Sequence, residues 1–381
     1  MSEAKPMDND YLALDVAELQ EKTAAAVESE ASKLHEQVSA KLTIGVIGNV
    51  GAGKSSLINA VFGKEVASAH PIAGWSKEVK LIPLPSCPNL VIADTPGLED
   101  VSEVVSQKTV EFQSNCDMFL YVINGAVGCM KTDRAAYATL VETERPVAAV
   151  INKADAIRGT PEQMEEFVRV TRTQLGALER PFFVVAADPD PKHYPEAVNV
   201  GQVIEWLLEV AKEQGKELIL ARALKDKQRA ADVAIYSATI AAAAAGALPI
   251  PGSDYIVLTA IQSGMLLRLS YIFGKEVSKK TAVQFITQVL TSGAGRQLYR
   301  LAIQGLKALG WFGGPWGTIA VSTVAAAIAA SITYGLGRAW LVYLESDFRE
   351  PIEKIVEVFE QAYATHRKSG ANRPSSPQIA V

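Results

Sequence analysis

The 381 residues include 37 lysines and arginines against 42 acidic residues, a net charge of −5, with 49% hydrophobic and 21% charged side chains. That balance excludes disorder over most of the length, argues against a general nucleic-acid binder, and allows two domains. Three cysteines without a CxxC pair and four scattered histidines support neither a disulfide framework nor a zinc site, which fits a reducing cytosol. The opening MSEAKPMDND is acidic and has no apolar core, so it does not read as a secretory signal. Charge is uneven: Lys216–Leu344 holds 13 basic side chains against five acidic ones, a net of +8, in the most apolar part of the chain.

Taken in chain order, Asp8–Ala40 reads as an amphipathic helix, with Leu12, Val16, Leu19, Thr23, Val27, Leu34 and Val38 at three- and four-residue steps. Such a helix either packs on a neighbouring domain or self-associates. From Lys41 to Ala187, short apolar runs (Leu42–Ile47, Val79–Leu84, Leu90–Ala93, Met118–Ile123, Val147–Ile151 and Phe182–Ala186) alternate with helical stretches. Those stretches are Ser55–Phe62, Val101–Asn115, Thr132–Glu144 and Pro161–Leu175. The alternation predicts an α/β domain with a mostly parallel sheet, whose ligand-binding loops gather at the carboxyl ends of the strands. After a Pro- and Asp-rich loop, Asp188–Pro195, strand signals vanish and the chain reads as helical to about Thr365. The predicted divisions are an N-terminal helix (1–40), an α/β domain (41–213), an Ala/Gly-rich helical domain (214–366) and a disordered tail (367–381).

Gly48-Asn49-Val50-Gly51-Ala52-Gly53-Lys54-Ser55 fits G-x-x-x-x-G-K-[ST], follows the run Leu42–Ile47 and opens a helix at Ser56. Its glycines let backbone N–H groups wrap a polyphosphate, and the helix N-terminus adds partial positive charge. Lys54 can reach the β- and γ-phosphates, and the Ser55 hydroxyl can bind Mg²⁺. Asp94-Thr95-Pro96-Gly97 follows another apolar run, offering a carboxylate for Mg²⁺ and the Gly97 N–H for the γ-phosphate. Asn152-Lys153-Ala154-Asp155 follows a third. Guanine presents N1–H and an exocyclic amine side by side, and the Asp155 carboxylate can accept from both; adenine lacks that pair of donors. Lys153 and Asn152 would pack against the base and the phosphate loop.

The three motifs, in this order, resemble the Era-like branch of the translation-factor-class GTPases over residues 41–187. The resemblance implies a six-stranded G domain, Mg²⁺-dependent GTP hydrolysis and two switch regions. Switch I falls between Gly63 and Lys80, with Ser76 as the nearest metal-binding hydroxyl; switch II runs from Asp94 to about Ser106. Lys54, Ser76 and Gly97 are thus the expected catalytic groups, and Ser55, Ser76 and Asp94 the expected metal ligands. The weak Ala186-Ala187-Asp188 stands where such GTPases offer a backbone N–H to the base oxygen, which Ala187 could supply. Two features depart from the pattern. Leu98 follows the DxxG glycine where many GTPases carry a water-orienting Gln, which predicts slow intrinsic turnover, and Gly51 stands where potassium-activated relatives carry Asn. His70 and the three cysteines read as surface or packing residues.

In the carboxyl half, Val233–Ser253 and Tyr255–Leu267 are uncharged and are separated by a Pro-rich breaker at Leu248–Asp254, which predicts a helical hairpin flanked by Arg229 and Arg268. Legs of roughly 16 and 13 residues reach about 24 and 20 Å, short of a hydrocarbon core of about 30 Å. Ala308–Gly337 is a longer uncharged stretch between Lys307 and Arg338, with Val321, Val324, Ile328 and Ile332 as its stripe. Basic flanks suit an anionic leaflet. The segment Ala247–Asp254 and the apolar helix after it resemble a poorly characterised hydrophobic domain that follows Era-like G domains in some bacterial GTPases, which implies membrane association.

The expectation is therefore a cytoplasmic Mg²⁺–GTP switch with a peripherally associated or partly embedded helical domain. Its partners would be GTP or GDP, an anionic membrane surface and a second copy, through G domains or helices. Two other readings stay open. Gly51–Ala60 and the flanking helices also resemble dynamin-like and immunity-related GTPases that self-assemble on membranes, and a soluble GTP-regulated scaffold would need no lipid.

Overall fold

The computed structural model describes residues 16–63, 72–73, 80–84, 87–94, 115–157, 159–192, 194, 196–247, 254–292 and 315–369. The expected switch residues Ser76, Gly97 and Leu98, His70, all but the last residue of the expected helix Val101–Asn115, the breaker Leu248–Ser253 and the tail from residue 370 lie outside them. The chain forms two compact units, one spanning Glu36–Lys227 and one joining Met1–His35 to Gln228–Val381.

Helix α1 (Val16–Val38) comes first, and residues through His35 belong to the helical unit. The α/β unit then runs β1 (Leu42–Ile47), α2 (Lys54–Phe62), β2 (Ile72–Ala73), β3 (Lys80–Leu84), β4 (Cys87–Asp94) and β5 (Met118–Asn124). It continues with α3 (Lys131–Val141), β6 (Val147–Asn152), α4 (Pro161–Leu175), β7 (Phe182–Val184), α5 (Val200–Glu213) and α6 (Glu217–Ala223). The sheet order is β2-β3-β4-β1-β5-β6-β7. Strands β4, β1, β5, β6 and β7 are parallel, while β3 runs antiparallel to β4 and β2 antiparallel to β3. The six expected strands are thus present, with a two-residue strand added at one edge. Every residue of β1 and β6 is buried, as continuous apolar runs in the middle of a covered parallel sheet must be.

The compact α/β unit runs through Lys227. Helix α6 buries Leu218, Ile219, Leu220, Ala221 and Ala223, and the Cys87 thiol donates to Ile219 O. Lys216 Nζ sits 2.5 Å from Asp117 Oδ1, whose other oxygen accepts from Thr43 N at 2.9 Å.

The helical unit comprises α7 (Lys227–Gly246), α8 (Asp254–Ile272), α9 (Lys279–Thr291), α10 (Pro315–Glu345) and α11 (Ile352–Ser369), together with α1. Its hairpin legs have 20 and 19 residues, longer than the expected legs, because the helices continue through Arg229 and Arg268. At about 1.5 Å per residue they reach roughly 30 and 29 Å, so length does not bar them from crossing a bilayer. Helix α10 likewise runs on past Gly337, because Arg338 is paired within the unit: its guanidinium lies 2.7 Å from Asp232 Oδ1 on α7. Among the described residues one stretch, Thr323–Glu345, is long and apolar enough to cross a membrane (mean hydropathy 1.3), and 56% of its most apolar part is buried inside the fold.

The core of this unit is centred toward the carboxyl end of α10. Val324, Ile328 and Ile332 are only half-buried, whereas Gly335, Leu336, Gly337, Ala339 and Trp340 face the interior. Trp340 is fully buried, donates Nε1–H to Leu266 O at 3.0 Å, and meets Phe285 edge-on at 4.5 Å between ring centroids. The glycines admit close neighbours: a Cβ at Gly337 would stand 2.8 Å from Ile235, and one at Gly335 2.9 Å from the Phe359 ring. Helix α1 contributes Val27 to a cluster with Leu267 and Ala282. Replacing Trp340 by Ala is expected to destabilise the helical unit by about 3–5 kcal/mol, and Gly337→Val by about 1–3 kcal/mol through overpacking; chemical denaturation of the full chain measures both.

Candidate functional site

The carboxyl ends of β1, β4, β5 and β6 lie side by side, since Val46 pairs with Asp94, Ile47 with Tyr121 and Asn124 with Asn152. The loop after β1 turns through left-handed glycines, Gly51 at φ 76° and Gly53 at φ 88°, and runs into α2. Gly48 is forced by space, as a Cβ there would meet Val122 O at 2.1 Å. Helix α2 has no side-chain N-cap and no acidic residue in its first turn. Its first N–H groups are therefore left for an anion. Lys54 Nζ folds back onto the loop, donating to Gly48 O at 2.8 Å and Asn49 O at 3.3 Å. Burial lowers the Lys54 pKa, while the Asp94 charge opposes that shift. Val50 is 70% exposed and Ser55 is exposed at the start of α2.

Asn152 is the hub. Buried at the end of β6, it donates Nδ2–H to Gly53 O at 3.0 Å and Ala52 O at 3.4 Å, and its Oδ1 accepts from Lys153 N at 2.8 Å and Ala187 N at 3.0 Å. One side chain thus joins three loops. Lys153 takes a left-handed conformation, φ 63°, and swings the chain into a short 3₁₀ turn, Ala154–Ala156, on which Asp155 is exposed. The turn is held by Ala154 N donating to Val185 O at 3.0 Å. The Ala187 N–H, expected at a base oxygen, donates here to Asn152 Oδ1, and the Ala186 N–H donates to Val198 O at 3.1 Å.

The side chain of Asn49 likewise reaches away from the loop, to Asp133 Oδ1 at 2.8 Å and Thr132 Oγ1 at 3.3 Å. Asp133, Tyr121 and Asn124 were missed in the sequence reading. Asn124 Nδ2 donates to Gly51 O at 3.1 Å and its Oδ1 accepts from Ala126 N, so a second strand-end asparagine braces the same loop. Its position at the end of a parallel strand was the available signal.

A nucleotide triphosphate brings a requirement for Mg²⁺. The exposed Ser55 hydroxyl and the Asp94 carboxylate, whose charge acts on Lys54, are hard oxygen donors of the kind this ion takes.

Comparison with known proteins agrees with this geometry. Residues 43–153 match the family described as 50S ribosome-binding GTPase, and residues 211–368 match a domain of unknown function, DUF697. GTPase Era of Nostoc sp. is 32% identical over 118 residues, covering 29% of this chain and 36% of that protein. GTPase Der of Brevibacillus brevis is 26% identical over 176 residues, covering 43% of this chain and 40% of that protein. An uncharacterized protein of Methanocaldococcus jannaschii is 29% identical over 162 residues, covering 36% of this chain and 88% of the relative. Among solved structures, Aquifex aeolicus Era bound to GDP and aluminium fluoride is 20% identical over 44% of this chain and 56% of its own, with a TM-score of 0.34. The chain thus spans 36% of the Nostoc Era and 40% of the Brevibacillus Der it matches.

The two loop glycines differ in a way that mutation can read. An Ala at either pays roughly 1–2 kcal/mol for the left-handed backbone. Only at Gly53 would its Cβ also strike Asn152 Nδ2, at 2.3 Å, whereas Gly51 faces open space. Gly53→Ala is therefore expected to lower the unfolding midpoint of the α/β unit well beyond Gly51→Ala in a denaturant titration.

Proposed function

The chain carries an Era-like P-loop GTPase domain joined to a DUF697 helical domain, and from that premise we propose that it binds and hydrolyses GTP and uses the nucleotide state to control a membrane-facing helical domain. The observation that carries the reading is Asn152, which ties the phosphate loop at Ala52 and Gly53 to the turn bearing Asp155. Triphosphate and base are thereby recognised on one framework.

In this reading Lys54 leaves the carbonyls of Gly48 and Asn49 for the β- and γ-phosphate oxygens, and the open N–H groups at the start of α2 bind the phosphates. Mg²⁺, held by Ser55 and Asp94 with Ser76 as the proposed switch I ligand, supplies charge neutralisation at the phosphates. The Asp155 carboxylate accepts from guanine N1–H and the exocyclic amine. Hydrolysis forms a bond from water oxygen to the γ-phosphorus and breaks the bond to the β–γ bridging oxygen. GDP leaves, and the water proton passes to inorganic phosphate. Gly97 would sense the γ-phosphate through its N–H. With Leu98 in place of a water-orienting Gln, turnover is slow, and loss of γ-phosphate contacts releases the switches.

Membrane facing is supported by helix α7. Val233, Tyr236 and Ile240 are 36%, 44% and 70% exposed and fall at i, i+3 and i+7, one stripe along a helix with no charge between Val233 and Gly246. The +8 segment around it favours an anionic surface.

Calorimetry with GTP, GDP and ATP, paired with flotation on vesicles of anionic or neutral lipid, tests the proposal. The parent should bind GTP and GDP and ignore ATP, Lys54→Ala should lose tight binding without unfolding, and anionic vesicles should float the protein in a nucleotide-dependent manner. Equal affinity for ATP would overturn the guanine assignment, and absence of flotation with every nucleotide the membrane assignment.

A further inference from the structure

The buried carboxylate behind the phosphate loop has more partners than helix capping needs. Asp133 is 1% exposed at the third position of α3, where its Oδ2 accepts from Met130 N at 2.8 Å and closes the first turn. That bond needs one oxygen. The other, Oδ1, accepts from Tyr121 OH on β5 at 2.9 Å and from Asn49 Nδ2 in the phosphate loop at 2.8 Å. Burial raises the Asp133 pKa, while the Met130 N–H and the Tyr121 hydroxyl oppose that shift by favouring the carboxylate. Three donors from three elements converge on one buried acid.

Asn49 is 4% exposed, and among the described residues its Oδ1 has no hydrogen-bond partner. Its side-chain orientation is therefore set from the amide end alone, by Asp133 and Thr132. The backbone of the same residue shapes the loop: Asn49 O accepts from Ala52 N at 3.2 Å and from Lys54 Nζ at 3.3 Å. A side chain clamped from behind thus fixes the carbonyl that holds the phosphate-binding lysine. The clamp and the loop are 84 residues apart in sequence.

We propose that Asp133 is a positioning residue for nucleotide binding, acting through Asn49 to hold the first turn of the phosphate loop in its binding shape. The inference rests on the guanine-nucleotide reading above. Asp133 touches no phosphate; its effect on the ligand passes wholly through the Asn49 side chain. Tyr121 donates to the same carboxylate oxygen and its hydroxyl makes no hydrogen bond to the loop among the described residues, which makes it the natural control.

The test measures GDP affinity by fluorescence titration and the melting temperature of the full chain for Asn49→Ala, Asp133→Ala, the double variant and Tyr121→Phe. Asn49→Ala and Asp133→Ala are each expected to weaken GDP binding about tenfold, the scale of one lost hydrogen bond to a charged group. The double variant should bind no more weakly than Asn49→Ala while melting lower, because the capping role of Asp133 remains to be lost. Tyr121→Phe should lower the melting temperature and keep GDP affinity within about twofold. Parental affinity in Asn49→Ala overturns the proposal, as does a further loss on removing Asp133 in the Asn49→Ala background. If Asp133→Ala fails to fold, the contrast between Asn49→Ala and Tyr121→Phe decides alone: equal GDP affinities overturn the proposal. A parent that binds no guanine nucleotide overturns both this inference and the function it rests on.

Discussion

The amide of Asn152 is the interaction on which the site depends. Its donor end grips two carbonyls of the phosphate loop and its acceptor end takes the N–H groups of Lys153 and Ala187. The orientation is over-determined: turned the other way, the amide would set its oxygen against the carbonyl oxygens of Ala52 and Gly53. Only an amide offers a donor and an acceptor pointing in opposite directions at this reach. Neither Asp, with two acceptors, nor Leu, with none, could replace it. Burial raises the stakes, because polar groups that lose a partner in a dry site cost more than the bond itself gained.

What could be read from the sequence was whatever is local. The phosphate loop announces itself because left-handed turns and close approach select glycine, and the strands because buried parallel strands need unbroken apolar runs such as Met118–Ile123 and Val147–Ile151. The Asp133–Asn49–Tyr121 cluster was not legible. Its members lie far apart in the chain, and a lone Asp early in a helix reads as an ordinary cap. The bond from the Ala187 N–H to Asn152 was hidden for a related reason, since its acceptor is 35 residues away. In the helical unit, charged residues looked like helix ends, yet Arg338 sits inside α10 because Asp232 and the Tyr334 hydroxyl receive its guanidinium. The core stripe of α10 was hidden by its small residues, whose value lies in what they let approach rather than in their own hydrophobicity.

The two units therefore solve the packing problem differently. The α/β unit fills the space between sheet and helices with large branched and aromatic side chains, Ile44, Phe119, Tyr121 and Tyr137 among them. The helical unit brings backbones together at Gly246, Gly335 and Gly337 and fills what remains with Trp340, Phe285 and Phe359. A core of this second kind tolerates loss of a methyl group better than gain of one, and the same small-residue faces that suit close helix pairing in water suit it in lipid.

The membership of α1 in the helical unit has a temporal consequence. Val27 finds its partners in Leu267 and Ala282, so the α/β unit is spliced into the middle of the helical one. During synthesis at roughly 5–20 residues per second, the first helix emerges roughly 12–50 seconds before the residues it packs against exist. Translation completes the α/β unit during that interval, so the helical unit is the later of the two to close. The apolar face of α1 must meanwhile be kept from other encounters, a task for which the glutamates along the helix are suited.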